Sequence, residues 1–112
     1  METIIYQHYE WDREKAKLNK IKHGVSFKSA AKVFNDPNRI EQFDVLHSWD
    51  EERWQVIGKV ENVLFVFYNE RLDKIRLISA REATEDERRR YYGRLGILYE
   101  ESRRTVDGGG KS

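Results

Sequence analysis

The chain has 112 residues, a formal net charge of +1, 37% charged and 38% hydrophobic residues, and no cysteine. That length suits one domain, and the missing cysteines exclude disulfides, thiol catalysis and thiolate metal sites. The near-neutral balance excludes a global field drawing in nucleic acid, so any such binding must come from local clusters such as Lys15, Lys17, Lys20 and Lys22, or Arg88, Arg89 and Arg90.

Taken in order, Thr3–Tyr9 is rich in β-branched and aromatic residues and predicts a first strand. Asp12 is the expected N-cap of a helix over Arg13–Lys22, closed by Gly24 as a left-handed C-cap, with Leu18 and Ile21 as its apolar stripe. Ser26 caps a second predicted helix, whose Phe27, Ala30, Ala31 and Phe34 share a core-facing side. Asp36-Pro37 stops it, because the residue before a proline is pushed out of the α region.

Beyond Pro37 the period becomes extended. Strands are expected over Arg39–Val45, over Arg53–Val60 with Trp54 and Val56 on one face, and over the continuously apolar Val63–Tyr68, which is suited to burial on both faces. With Ile75–Ala80 they make an antiparallel meander. Simple alternation then puts Ile75, Leu77 and Ser79 on one face and Arg76, Ile78 and Ala80 on the other. Thr84 three residues before Glu87 is a capping box, and Glu85, Asp86 and Glu87 suit the first turn of a C-terminal helix. That helix carries Tyr91, Leu95 and Leu98 on one side, with a bend expected at Gly93 or Gly96. One α+β domain over 1–104 follows, with two N-terminal helices, a C-terminal helix and a disordered tail over 105–112. The terminal GKS is not a phosphate loop, since Thr105 stands where a glycine is needed and no helix follows.

The spacing of His8, His23 and His47 does not suggest a zinc site, so neither metal nor cofactor is expected. His23 in Lys22-His23-Gly24 suits the carbonyls of a helix C-terminus. His47 lies in a polar loop with Asp50, Glu51, Glu52 and Arg53, where it is either an acid–base group or an ordinary exposed histidine. Arg76 and Arg81 are either anion ligands or partners of Glu70 and Glu82 in surface pairs of little worth. Arginines, a histidine, a carboxylate and tyrosines are what metal-free RNA cleavage requires, and aromatic and arginine planes can hold splayed bases. No basic segment followed by an apolar run begins the chain, and no run approaches the roughly 20 residues of a membrane span. A soluble cytoplasmic protein is the expectation.

Several blocks occur in an order that resembles the BrnT family of toxins. They are Tyr9-Glu10-Trp11-Asp12 with Lys15 and Asn19, KHGVSF at 22–27, AKVFNDP at 31–37, His47-Ser48, EERW at 51–54 followed by Ile57-Gly58, and RLISAREAT with ERRRYY. The resemblance covers about residues 6–92 and leaves 93–104 as an extension. It implies a RelE-like fold and a metal-independent ribonuclease that inhibits translation as the toxin of a type II toxin–antitoxin system. It also implies a BrnA-type ribbon-helix-helix antitoxin as partner in a heterotetramer, with operator DNA bound only through that antitoxin. The candidates carried over for catalysis are His47, Glu52, Arg53, Arg76 and Arg81, with Lys22, His23, Tyr68 and Arg88 assigned to RNA contact. Arg76 and Arg81 would stabilise the phosphate, His47 or Glu52 would move the proton, and Tyr68 is an outside candidate for that step. Trp49 and Trp54 are candidate antitoxin anchors. The alternative is a non-catalytic RNA- or protein-binding module, or a degenerate toxin that keeps only its antitoxin contact.

Overall fold

A computed structural model describes residues 1–49 and 51–106. Its elements are strands β1 (Thr3–Tyr6), β2 (Tyr9–Asp12), β3 (Ile40–Phe43), β4 (Trp54–Lys59), β5 (Val63–Arg71) and β6 (Lys74–Glu82), and helices α1 (Arg13–His23), α2 (Phe27–Ala30) and α3 (Glu85–Val106). The strands form one sheet in the order β1-β2-β6-β5-β4-β3, antiparallel throughout except for the parallel pairing of β2 with β6. The expected meander is therefore its β3–β6 part, and the N-terminal segment adds two strands rather than one.

The chain reverses between β1 and β2 at Gln7, whose φ of 58° is left-handed. No glycine or asparagine marks that turn, so the run of β-formers reads as one strand. The return is anchored where the Ile75 amide donates to the His8 carbonyl at 3.0 Å. The second helix is also shorter than expected. Phe27–Ala30 is α-helical and Ala31–Asn35 tightens into a 3₁₀ segment. Its buried residues are nevertheless Phe27, Ala30 and Ala31, joined by Val33.

The caps follow the sequence closely. Asp12 accepts from the Lys15 amide at 2.9 Å, Ser26 from the Ser29 amide at 3.1 Å, and Gly24 closes α1 at φ 74°. The Thr84 amide donates to Glu87 at 2.8 Å and the Glu87 amide donates back to the Thr84 hydroxyl at 3.2 Å. The helix they start runs as one element to Val106, without the break expected at its glycines. Thr105 and Val106 thus belong to α3, while the rest of the expected tail with its GKS, and the side chains of Leu95 and Leu98, lie outside the described residues.

The face of α1 that meets the sheet is not the one its apolar residues suggest. Leu18 and Ile21 are 58% and 79% exposed, whereas Asn19 is buried. The Asn19 amide nitrogen donates to the carbonyls of Ala80 at 2.9 Å and Val25 at 3.0 Å, and its oxygen accepts from the Ala80 amide at 3.1 Å. β2 pairs with β6 only through Tyr9–Ile75 and Glu10–Arg76, so the backbone groups of Ala80 have no strand partner on that side. The asparagine supplies one, and successive helix positions about 100° apart then turn Leu18 and Ile21 outward.

One core lies between the sheet and α1, α2 and the 3₁₀ segment. It includes Trp11, Phe27, Val33, Val56, Leu64, Val66, Tyr68, Leu77 and Ala80. A smaller one on the opposite face joins Ile57, Val63, Phe65 and Tyr91 of α3. Asp36 ties the two together, accepting from the Asn38 amide at 2.9 Å, the Lys59 amide at 2.8 Å and the Tyr91 hydroxyl at 2.5 Å.

Replacing Asn19 by Ala strands the N–H and C=O of Ala80 in a buried place. We expect a loss of about 2–4 kcal/mol in denaturant unfolding, while Leu18→Ala stays within about 0.5 kcal/mol. Equal losses for the two would contradict this account. The Asp36 carboxyl titrates below its ordinary 3.8: burial alone would raise it, but the hydrogen bonds from Tyr91, Lys59 and Asn38 and the charge of Arg39 outweigh that. A depressed folded value means stabilisation that is whole above 3.8 and fades as pH falls through the lower folded value. Asp36→Asn should therefore lower the melting temperature at neutral pH, with a gap to wild type that narrows on acidification; a gap constant with pH would refute the assignment.

Candidate active site

Alternation along β5 separates the two faces. Leu64, Val66 and Tyr68 enter the helix-side core, while Phe65, Phe67 and Asn69 line the other face. Across from them on β6, Phe65 pairs with Arg81, Phe67 with Ser79 and Asn69 with Arg76, yet Tyr68 pairs with Leu77. Ile78 is the extra residue of a bulge. An inserted residue reverses the phase of a strand, so Arg76 and Arg81 share the open face, although strict alternation would put them on opposite ones. Ser79, Leu77 and Ala80 are redistributed by the same step, with Leu77 and Ala80 buried under the helices.

Arg81 is held in place from two directions. Its guanidinium donates to both carboxylate oxygens of Glu87, at 2.8 and 3.0 Å, and lies 4.4 Å from the Phe65 ring centre. Burial would raise the Glu87 carboxyl, but Arg81 and the Thr84 cap bring it below its ordinary 4.5, so the carboxylate is the form the site selects. Fork-to-fork pairing leaves the Arg81 Nε–H and one further N–H without a partner among the described residues. Arg76 donates to Glu10 at 3.0 Å, each side chain 15% exposed, and straps β2 to β6. The ion-pair partners are thus Glu87 and Glu10, not the Glu82 and Glu70 that sequence proximity suggested; Glu82 offers Arg81 only its backbone carbonyl, at 3.2 Å.

His47 ends a 3₁₀ turn, Val45–His47, in the β3–β4 connection. Its ring stands edge-on to Phe67 with centres 6.1 Å apart, Phe67 is 5.0 Å from Phe65, and Arg81 lies over Phe65. Aromatic contacts therefore link the histidine to the arginine across one face. His47, Trp49, Glu51 and Arg53 line an open cleft of about 380 Å³. Asp50, one of the expected neighbours, lies outside the described residues. Among the described residues the carboxylate that lines this cleft is Glu51, which accepts from the Asn69 side-chain amide at 2.8 Å. Glu52 is exposed and is not among the lining residues. Arg76 shares the sheet face but opens into a separate cleft, with Glu10, Arg71 and Lys74.

The residues assigned to RNA contact are scattered. Tyr68 is 2% exposed on the helix side, edge-on to Phe34, with its hydroxyl donating to Glu41 at 2.7 Å. Burial and that carboxylate push its phenol far up. Its neighbour Phe67 is the aromatic on the cleft side. Lys22 and His23 are exposed at the end of α1, which packs on the helix side of the sheet. Arg88 is exposed on α3, 6.0 Å from the Tyr92 ring. Further along the same open face, Arg90 donates to Gln42 at 2.6 Å, and Gln42 donates in turn to Gln55.

Sequence reading missed Asp44, which is 2% exposed and lies 3.0 and 3.1 Å through its two oxygens from His47 Nδ1. The signal was there in Asp44-Val45-Leu46-His47, since residues three apart eclipse in a 3₁₀ turn. Phe67 and Gln55 were missed, and Glu52 was chosen over its neighbour Glu51, because strand phase and loop path decide their surroundings. Among the described residues no three His, Cys, Asp or Glu gather into a set that could hold a metal ion, and no helix is long and apolar enough to cross a membrane.

A family profile for the ribonuclease toxin BrnT of type II toxin–antitoxin systems matches residues 11–87. The chain belongs to the BrnT family. That match spans Asp44, His47, Arg53, Arg76 and Arg81 and ends in the first turn of α3. The crystal structure of the Brucella abortus ribonuclease toxin BrnT is similar in fold, with a TM-score of 0.51 at 22% identity over 67% of this chain and 94% of that one. Comparison with curated protein sequences gives no match. Membership of the BrnT family places the chain among ribonuclease toxins and implies an antitoxin as partner.

The opposite placements of Tyr68 and Phe67 separate stability from RNA contact. Tyr68→Phe should cost about 1 kcal/mol of folding stability through the lost Glu41 bond and leave RNA affinity unchanged. Weakened RNA binding by a fully folded Tyr68→Phe would put the phenol back at the interface.

Proposed function

We propose that this BrnT toxin is a metal-independent endoribonuclease with a RelE-like fold, which cleaves RNA by attack of a ribose 2′-hydroxyl and so inhibits translation. The observation carrying this reading is that His47 and Arg53 share one cleft against Phe67, on the sheet face that also carries Arg81. His47 Nε2 takes the 2′-hydroxyl proton and O2′ attacks phosphorus. The P–O5′ bond breaks to leave a 2′,3′-cyclic phosphate, and O5′ takes a proton from solvent in the open cleft. Arg53 and Arg81 supply positive charge where the pentacoordinate phosphate gathers negative charge, a role for which preorganised guanidinium groups are suited. Phe67 offers an aromatic surface to a base. Arg76, paired with Glu10 in a separate cleft that also holds Arg71, Asp73 and Lys74, offers further cationic groups to the strand beyond the cut.

The proposed partner is a BrnA-type ribbon-helix-helix antitoxin in a heterotetramer, through which operator DNA is bound. Trp49, 87% exposed beside the 76% exposed Val45 and Leu46, is the anchor we assign to it. Trp54 is packed edge-on against Phe43 and is less suited to that role.

Cleavage of RNA by the purified chain, without added metal, tests the assignment. His47→Ala should lose about 10²–10⁴-fold in rate and Arg53→Ala or Arg81→Ala about 10²–10³-fold, with each variant shown to be folded. Wild-type rates in all three would sink the mechanism. Retarded but intact RNA with the wild-type chain would support the binding module instead.

A further inference from the structure

We infer that Asp44 is a positioning residue that holds His47 in one tautomer, with the proton on Nδ1 and the free lone pair of Nε2 turned to the cleft. The inference rests on the ribonuclease reading of His47 and adds a residue to it. Both Asp44 oxygens lie within hydrogen-bond distance of Nδ1, at 3.0 and 3.1 Å, so the carboxylate can only accept from that nitrogen. A neutral imidazole has one N–H, and placing it on Nδ1 leaves Nε2 as the acceptor. The opposite tautomer would set an Nδ1 lone pair against a carboxylate and present an N–H to a 2′-hydroxyl that has to lose its own proton.

The two members of the pair differ sharply in environment. Asp44 is 2% exposed at its side chain and His47 is 56% exposed, so one end of the pair is fixed in the fold while the other meets solvent. The carboxylate is also rigidly placed by its backbone. The Asp44 amide donates to the Arg53 carbonyl at 2.8 Å, and its carbonyl accepts from the Ser48 hydroxyl at 2.6 Å. Ser48 Oγ in turn accepts from the Arg53 amide at 2.9 Å. This clasp closes the loop across its base and brings the histidine and Arg53 to the same cleft. Among the described residues, the other charged groups that line the cleft with His47 are Glu51 and Arg53, while β5 sets the neutral Phe67 ring against it. No hydrogen bond from Glu51 or Arg53 to the imidazole competes with Asp44 among the described residues.

The tautomer is read directly by ¹⁵N chemical shifts of the His47 ring in the wild-type chain at alkaline pH, where an imidazole is neutral. We expect a protonated Nδ1 and an unprotonated Nε2; a protonated Nε2 would overturn the inference and, with it, Nε2 as the base, while whether cleavage needs His47 at all is read separately from His47→Ala. Asp44→Asn keeps the size of the side chain but lets an amide N–H face Nδ1, which drives the proton to Nε2. Its kcat for RNA cleavage should fall by about 100-fold or more with KM nearly unchanged, alongside the tautomer shift, in a variant whose melting curve confirms folding. Wild-type kcat in Asp44→Asn would refute the positioning role. Full cleavage by His47→Ala would instead overturn the reading on which it rests, so the two failures are distinguishable.

Discussion

The structure depends on one side-chain amide that does the work of a strand. Asn19 satisfies both the N–H and the C=O of Ala80, immediately after the bulge at Ile78, where β2 no longer runs alongside β6. A buried backbone pair left without partners costs free energy comparable to the hydrogen bonds lost. The asparagine offsets that cost and binds α1 to the sheet in the same contact. It also makes a polar residue, rather than Leu18 or Ile21, the centre of the helix interface.

The bulge that Asn19 secures determines the chemistry of the opposite face. One extra residue in β6 returns Arg81 to the side of Phe65 while Ala80 stays under the helices. Glu87 then serves two structures at once, as the partner of Thr84 in the helix cap and as the bidentate partner of Arg81. The first turn of α3 and the end of β6 are thereby tied together. The Arg81 guanidinium is held by the fold itself, the kind of preorganisation that the proposed stabilisation of a developing charge would use.

A second device of the same kind operates at the other end of the face. Asp44, Ser48 and Arg53 clasp the β3–β4 connection so that a buried carboxylate meets an exposed imidazole. The base of the loop is anchored at the start of β4, so the proposed reactive groups sit on a connection held by a rigid scaffold. Arg53 enters the cleft as part of that clasp, through its backbone, rather than by the accident of a long side chain.

Local chemistry was legible in the sequence wherever a few neighbouring residues settle it. Asp12, Ser26, Gly24 and the Thr84–Glu87 box mark helix ends because caps are short-range hydrogen bonds, and Val63–Tyr68 reads as a central strand from its apolar run. The family too is written in the order of short blocks between Trp11 and Glu87. Tertiary structure alone decided the left-handed turn at Gln7, the exposure of Leu18 and Ile21, the core position of Tyr68 and the partners of both arginines. Each depends on a contact with a residue far along the chain, or on a bulge that changes which face a strand residue meets. Periodicity determines that a strand has two faces; the extra residue at Ile78 decides that Arg76 and Arg81 share one of them, and the clasp of Asp44, Ser48 and Arg53 brings His47 to it.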